Sequence, residues 1–574
     1  MQSSIRFLAG VGAAGLLVLG IVQPVEKEPL WLICLWGAAP LMGVFAWLSI
    51  PQVPRGFARS LHNLGLVVLV GFVLLSLQLL RQQVIKAEAI YTHTVVSDSG
   101  HVTTNVRPVV ASQRVVRGTI IDQTGLHLAS SEVVENGFVR RTYPIAEAFD
   151  ITAFSNIVGF FSTRYGQSGL ERTYNEYLTG ERGDTLARLQ DELLGHPQVG
   201  NDLHLTLNAL LQARAYTLLG GRSGSIIVLN PKSGAVLAMV SVPGFDPRGL
   251  SFDYTALDWN AENVRISEYW QHINSSGAGQ PLINRPTQGL YPPGSTFKTV
   301  TAVAALENAQ IARPDDIRCT DEFKPEPSSP PVVNAVRHGL SSYTGDPSDL
   351  ERVYAYSCNV AFAQYAIRLG ADRLSHQAAL FDIFPPHESP RNYEKVSDLF
   401  TAASLLYIDP GFLDRPAALA DTGYGQGQLL VTPLQMTMVA AAIANDGVMM
   451  RPYLVDRVVF PETGQAVFEQ IPQQIRRTMS SETAATMRNN MQAVGEYGFG
   501  SVVNNYSPAG VTFGGKSGTG EHVPGLPPHA WFIAIAPVDN PRYAAVVMVE
   551  QGGEGSGIAA QLAGQVLQAA FELE

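Results

Sequence analysis

Tyr291-Pro292-Pro293-Gly294-Ser295-Thr296-Phe297-Lys298 is the stretch on which the reading of this chain turns. Pro293-Gly294 breaks the chain, and a helix can start at Ser295. Phe297, Val300, Ala302, Val303, Ala304, Ala305 and Leu306 are apolar almost all round, the pattern of a buried helix. Ser295 and Lys298 are three residues apart and share one face. Serine is a weak nucleophile that needs a base within hydrogen-bond reach. A lysine in a poorly solvated site beside a helix N-terminus is pushed toward its neutral form by desolvation and by the positive end of the helix dipole. Neutral Lys298 can then take the Ser295 proton, and the same helix N-terminus offers N–H groups to a developing oxyanion. Lysine is scarce (Lys27, Lys86, Lys232, Lys298, Lys324, Lys395 and Lys516), and only Lys298 has a serine three residues before it. Taken alone, the pair is equally well read as a helix start with an exposed lysine.

Two further elements follow it. Ser357-Cys358-Asn359 precedes another apolar run, Val360 to Ile367. Ser357 can relay a proton, while Asn359 can hydrogen-bond a substrate amide and hold Lys298. Taken singly, an ordinary helix N-cap explains this triplet better. Gly514-Gly515-Lys516-Ser517-Gly518-Thr519-Gly520 then precedes a late strand. Lys516 would set a fixed positive charge beside a substrate carboxylate, and Ser517 could hydrogen-bond it. Gly518 would let a substrate backbone approach, and the Thr519 N–H could be the second oxyanion donor. The plain alternative is a glycine-rich turn. Lys232-Ser233-Gly234 repeats the same three residues in a hairpin turn upstream of Ser295, in the wrong order, and takes no role.

The order Ser295/Lys298, Ser357/Asn359, Lys516/Ser517/Gly518 resembles that of the active-site serine penicillin-recognising enzymes. The flanks narrow the likeness. Asn284 to Gly294 resembles the approach to the nucleophile in class B penicillin-binding proteins. Gly425-Gln426-Gly427 with Val431-Thr432-Pro433-Leu434-Gln435 resembles their segment between the second and third motifs. Arg117-Gly118, Asp122, Gly125 and Ala129 resemble the start of their pedestal. Pro528-His529-Ala530-Trp531-Phe532 resembles the actinobacterial penicillin-binding protein A type. The resemblance covers roughly Arg114 to the C-terminus. It implies an α+β fold, an antiparallel sheet flanked by helices, on an elongated β-rich pedestal. It also implies a peptidoglycan D,D-transpeptidase that acts on the D-Ala-D-Ala end of a stem peptide, is acylated by β-lactams, and needs no metal or organic cofactor. The third motif departs from the family in having Ser517 where threonine is usual. Alternatives on the same site are a D,D-carboxypeptidase or a mainly regulatory subunit of a cell-wall complex. A β-lactam sensor would carry His-Glu-x-x-His, which is absent.

Outward from the motifs, strand-like runs at 202–207, 225–229, 235–241, 531–536 and 543–550 come first and last, with helices between them. That order suits a sheet supplied by both ends of the chain. The expected domains are a membrane region, 1–80; an extracytoplasmic pedestal, 81–200; and a transpeptidase domain, 201–574. The chain's 574 residues fit two or three domains. With 46% hydrophobic and only 16% charged residues, it is too apolar for disorder. A net charge of −11 without a basic run argues against nucleic acid.

Three apolar runs, 7–22, 30–50 and 61–80, lack charged residues. The second and third are long enough for a hydrocarbon core of roughly 30 Å, and the first is marginal. Arg6 before the first run, Glu26, Lys27 and Glu28 after it, and Arg55 and Arg59 after the second place the N-terminus inside. Everything after Leu80 then lies outside a bacterial plasma membrane, in contact with membrane lipid. Family members usually carry one span, so three is a departure. The stretch before Gly200 is too short for a glycan polymerase of its own. The resemblance therefore implies a separate polymerase partner of the shape, elongation, division and sporulation family. Of the cysteines, Cys319 and Cys358 can pair only in an exported domain; two unpaired buried thiols is the favoured expectation.

Overall fold

The structure, a computed structural model, describes residues 2–21, 28–49, 56–86, 94–96, 102–104, 112–182, 197–386 and 398–574. Of the charges used to orient the membrane region, Glu26, Lys27 and Arg55 lie outside the described residues. The chain divides into two compact units, 1–113 and 114–574.

The first unit contains α1 (Gln2–Ile21), α2 (Glu28–Ser49) and α3 (Phe57–Leu80). All three are long and apolar enough to cross a membrane. The first helix begins at Gln2, upstream of the apolar run, and so reaches spanning length. Gly20 lets α1 meet α2 closely, because a Cβ there would stand 2.7 Å from the Trp31 ring. Trp31 donates its indole N–H to Gln78 at 2.7 Å, and the Arg81 guanidinium lies 4.9 Å from the same ring. The end of α1, the start of α2 and the end of α3 thus meet at one pole.

The second unit is built, in chain order, from β1 (Ile120–Ile121), β2 (His127–Val133), β3 (Val139–Thr142), β4 (Asp202–Leu205), α4 (Ala209–Leu219), β5 (Gly224–Leu229) and β6 (Val236–Val242). It continues through α5 (Lys298–Glu307), α6 (Asn359–Leu380), α7 (Pro433–Ala444), β7 (Val455–Val459) and β8 (Ala466–Glu469). It closes with α8 (Ser481–Glu496), β9 (Gly514–Gly520), β10 (His529–Ala536), β11 (Tyr543–Val549) and α9 (Ala560–Glu572). Shorter elements are named by residue.

Two sheets organise these elements. The five-stranded sheet has the order β6-β5-β11-β10-β9 and is antiparallel throughout. Early strands pair with late ones: Met548 of β11 stands opposite Ser225 of β5. Alternate residues bury to opposite faces. Ile226 and Val228 join a core with Leu211 and Leu219 of α4 and Val566 and Leu567 of α9. Ile227 and Leu229 face the larger core containing α5 and α7. Every residue of α7 is buried, as its apolar composition demands. This sheet is the antiparallel sheet flanked by helices that the motifs implied.

The six-stranded sheet, β8-β7-β4-β1-β2-β3, forms the pedestal. The first pedestal strand spans only Ile120–Ile121. Before it, the backbone is held irregularly: Gly118 donates to Leu178 O, and Gly200 donates to Val116 O. A Cβ on Gly118 would stand 1.8 Å from Asn201 O, so no other residue fits. Arg117 and Arg141 both reach Glu171, at 2.7 and 2.6 Å, and all three are buried. Burial pushes the Glu171 carboxyl up, but Arg141 and Arg117 outweigh it and hold the group below its ordinary range. Asp122 accepts from the Ala209 N–H at 2.9 Å, tying the pedestal to the first turn of α4.

Candidate active site

Ser295 does not open an α-helix. Gly294–Phe297 is a 3-10 turn, and α5 begins at Lys298. A 3-10 turn brings side chains three apart onto one face. Gly294, at φ 54°, makes this turn against β9: a Cβ there would stand 2.2 Å from Thr519 O. Gly425, at φ 92°, would place a Cβ 1.8 Å from Gly294 O. The Gly425-Gln426-Gly427 segment therefore backs the nucleophile turn. Val431 pairs with Tyr291 through both backbone bonds, at 3.0 and 2.9 Å, and Thr432 caps α7 directly afterwards. Glu550 accepts from Arg285 Nε at 2.8 Å and from the Tyr291 hydroxyl at 2.7 Å, fastening the approach to the end of β11.

Lys298 is fully buried. Its Nζ donates to Ser357 O at 2.7 Å, Ser357 Oγ at 3.0 Å and Asn359 Oδ1 at 2.6 Å. Ser357 has φ 55°, a left-handed conformation uncommon outside glycine and costing on the order of 1–3 kcal/mol. That conformation lets the residue turn both its carbonyl and its hydroxyl to one amine. Lys516 Nζ reaches the same Ser357 Oγ at 3.0 Å and Ser517 O at 2.9 Å. The structure thus brings Ser357, Asn359, Lys298 and Lys516 together around one hydroxyl.

Two amines on one hydroxyl, in no ion pair among the described residues, cannot both stay charged cheaply. Burial, and then the neighbouring Lys516, lower the Lys298 pKa well below the ordinary lysine value. Burial lowers Lys516 to about 7. The positive charge expected as fixed at Lys516 is therefore conditional: it depends on pH and on a carboxylate arriving beside it. Phe362 and Tyr354 present their rings to the two amines, at 5.5 and 5.7 Å.

Lys516, Ser517, Gly518 and Thr519 lie on a strand, not in a glycine-rich turn. The backbone that comes close at Gly518 is the chain's own: a Cβ would meet Pro293 O at 2.7 Å and the Thr296 N at 3.0 Å. This glycine lets β9 lie against the nucleophile turn and brings Thr519 to its edge. Lys232 of the repeated triplet sits in the exposed β5–β6 turn and bonds Asn540 at 3.1 Å. His529, given no role from sequence, is buried. It accepts the Gln551 N–H at 3.1 Å, and burial followed by His522 lowers it to about 4, which makes it a packed neutral imidazole.

The favoured expectation for the cysteines is overturned: Cys319 and Cys358 form a disulfide. The two residues are buried side by side with their Cα atoms 6.1 Å apart, a separation that a bridge spans and that sequence distance does not reveal. Cys358, rather than Ser357 or Asn359, is the N-cap of α6, its sulfur accepting from the Ala361 N–H. Sequence reasoning also missed Asn334 and Val333: Asn334 Oδ1 accepts the Val360 N–H at 3.2 Å, and Asn359 Nδ2 donates to Val333 O at 2.9 Å. The one available signal was that Cys358 occupies the middle of the Ser-x-Asn triplet.

The fold and the three converging elements define an active-site serine enzyme of the penicillin-recognising class. Residues 224–568 match the family described as the penicillin binding protein transpeptidase domain. Residues 117–203 match the penicillin binding protein A dimerisation domain. The chain is 31% identical to a peptidoglycan D,D-transpeptidase PbpA of Mycobacterium tuberculosis over 90% of its own length and 99% of the relative's. It is 32% identical to the protein of the same name from Mycolicibacterium smegmatis, over 75% and 84%. The ceftriaxone acyl-enzyme structure of penicillin-binding protein A from M. tuberculosis superposes with a TM-score of 0.70 at 30% identity, covering 80% of this chain and 99% of that one. The chain belongs to the penicillin-binding protein transpeptidase family and is of the penicillin-binding protein A type.

Proposed function

We infer that this protein is a membrane-anchored peptidoglycan D,D-transpeptidase with Ser295 as its nucleophile. The carrying observation is the buried Lys298 amine, held by Ser357 and Asn359 and in no ion pair among the described residues. With Lys298 neutral, the hydrogen bonds close into a consistent chain. Lys516 donates to Ser357 Oγ, and neutral Lys298 spends its two N–H groups on Ser357 O and Asn359 Oδ1, which leaves its lone pair for the Ser295 proton. Ser295 attacks the carbonyl between the two terminal D-alanines and passes its proton to Lys298. The backbone N–H groups of Ser295 and Thr519 receive the oxyanion. The C–N bond breaks, Ser357 relays the proton to the departing amine, and the terminal D-alanine leaves. An amine of a neighbouring stem peptide then attacks the Ser295 ester; the C–O bond to Ser295 breaks, the amine's proton returns to Ser295 Oγ through Lys298, and the cross-link forms. Lys516 and Ser517 take the donor's carboxylate, Asn359 its amide, and Gly518 keeps β9 within reach. The relatives named as D,D-transpeptidases and the β-lactam acyl-enzyme complexes of one of them support this reading.

The pole where α1 ends, α2 starts and α3 ends supports an up-down-up passage, which puts the catalytic unit outside if the N-terminus lies inside. A disulfide beside the site suits an oxidising exterior. The domain division at 80 and 200, and a polymerase of the shape, elongation, division and sporulation family as membrane partner, belong to the same proposal. Repeated failure of such a polymerase to co-purify in mild detergent would remove the partner. The enzymatic reading is tested by intact-protein mass spectrometry after incubation with a penicillin. We expect a stable adduct mapping to Ser295 and none on Ser295→Ala. An unmodified parent with the antibiotic intact would overturn it.

A further inference from the structure

A cavity of about 670 Å³ opens between residues 156–182 of the pedestal and the catalytic part of the same unit. None of the active-site side chains named above lines it. Its volume lies within the ~300–1,000 Å³ typical of small-ligand sites. The chain carries a net charge of −11, yet Arg172, Arg182 and Arg451 line this one cavity. Asp398 is the single acid among the described lining residues, and its oxygens are occupied: Oδ1 accepts from the Tyr174 hydroxyl at 2.9 Å, and Oδ2 from the Leu454 and Val455 N–H groups at 2.6 and 2.9 Å. Arg182 is loosely matched to Glu176 at 3.9 Å and lies over the Tyr177 ring. Among the described residues, Arg172 and Arg451 are in no ion pair.

The unmatched atoms have a pattern. Asn284 is only 6% exposed, and its Oδ1 has no partner, although its Nδ2 donates to Asn156 O. Asn156 Nδ2 and Arg451 Nε are buried and also unpartnered. Buried polar atoms without partners are rare in native proteins and ask for an explanation. All three belong to residues that line this cavity, together with three arginines and one acid among the described residues. A ligand entering it brings carboxylate oxygens for the arginines and polar groups that this wall can pair with on a small side-chain adjustment. Arginine suits carboxylates because its planar fork binds them with paired hydrogen bonds. An anionic, amide-rich chain with a free carboxyl end fits on every count.

We propose that this cavity is a second peptidoglycan-binding site, which holds the carboxylate end of an uncross-linked stem peptide through Arg172 and Arg451. The inference rests on the transpeptidase reading for the identity of the ligand. An unreacted stem peptide is the acidic peptide such an enzyme meets at its working surface. The site also adjoins the catalytic approach in sequence: Asn284 and Gln288, both in its wall, lie on the segment that runs into Ser295.

The test uses the full chain in detergent, first acylated with penicillin so that Ser295 is occupied, with the adduct verified by mass. A synthetic stem peptide ending in D-Ala-D-Ala is then titrated in by calorimetry. It is compared with the same peptide amidated at its C-terminus and with the glycan disaccharide lacking peptide. We expect saturable one-to-one binding of the free-acid peptide. Arg172→Glu, Arg451→Gln and amidation should each weaken it about tenfold or more, since each removes a charge-assisted hydrogen bond. Arg172 is exposed and its side chain is bound to nothing described, so Arg172→Glu should melt with the parent and separate a binding loss from misfolding. No saturable binding at millimolar peptide, equal binding by Arg172→Glu, or equal binding of the amidated peptide or the bare disaccharide would overturn the proposal. Failure of the transpeptidase reading would show separately, as a missing adduct before any titration.

Discussion

At the residue scale, the decisive feature is one hydroxyl shared by two amines. Ser357 Oγ lies 3.0 Å from both Lys298 and Lys516, so their titrations are coupled and the observed steps belong to the pair. The proposed roles need opposite states. Lys298 must be neutral to accept a proton, so acylation is lost as pH falls through its lowered pKa. Lys516 must be charged to hold a carboxylate, so acylation is lost again as pH rises past about 7. The second-order rate of β-lactam acylation should therefore trace a bell, with its alkaline limb near neutrality in the free enzyme. Lys516→Arg keeps its charge far above that range and should remove the alkaline limb while leaving the acid limb in place. An unmoved alkaline limb in that variant would take the carboxylate anchor away from Lys516. The grouping of Lys298, Ser357, Asn359 and Lys516 was legible in the sequence because it is written in residue type and spacing. The tight glycine contacts were less so. Gly518 reads as a turn residue on propensity, yet it sits in a strand because the Pro293 carbonyl leaves no room for a Cβ.

At the scale of elements, the start of α6 is fastened to the segment 319–334 by more than its own helix. The disulfide, the Asn334 bond to Val360 N–H and the Asn359 bond to Val333 O all act within a few residues of Ser357. These are the bonds that hold Ser357 and Asn359 on the Lys298 amine. Replacing both bridged residues, Cys319→Ser with Cys358→Ser, opens a loop whose ends are 39 residues apart in sequence. Chain entropy alone assigns such a bridge about 4 kcal/mol. We expect a lower melting temperature and also, well below the melt, an acylation rate reduced by about tenfold or more as Ser357 leaves its left-handed conformation. Thermal unfolding and stopped-flow acylation at one temperature separate the two effects; a lower melt with unchanged acylation would make the bridge purely structural. The late sheet was legible because β10 and β11 are long apolar runs. The disulfide and the two-residue β1 were not, because a side-by-side approach across a folded surface leaves no periodic trace in either partner.

At the scale of the whole catalytic unit, the pedestal and the transpeptidase core share their structure more deeply than a division at residue 200 implies. The pedestal sheet takes β1, β2 and β3 from before that point, and β4, β7 and β8 from after it. Ile120 of β1 pairs in parallel with Leu203 of β4. Asp122 holds the first turn of α4 through the Ala209 N–H, and Gln212 of α4 donates back to Ala153 O at 2.7 Å. A fragment of residues 201–574 would keep β4 with one edge unpaired. It would also expose the apolar faces of Leu203, Leu205 and Leu207, now buried among Ile120, Leu128 and Leu178. Exposed apolar strand edges recruit other chains. A fragment of residues 114–574 keeps every one of these contacts. The longer fragment should therefore be monomeric and melt in one transition. The shorter one should aggregate, or melt roughly 4 °C or more below it, since each kcal/mol of lost packing moves a domain of this size by about 1–2 °C. Size-exclusion chromatography and calorimetry on the two fragments decide this. A shorter fragment that is monomeric, melts with the longer one and is acylated at the same rate would establish a transpeptidase domain that folds without its pedestal, and the shared sheet would then be an interface rather than part of a common core.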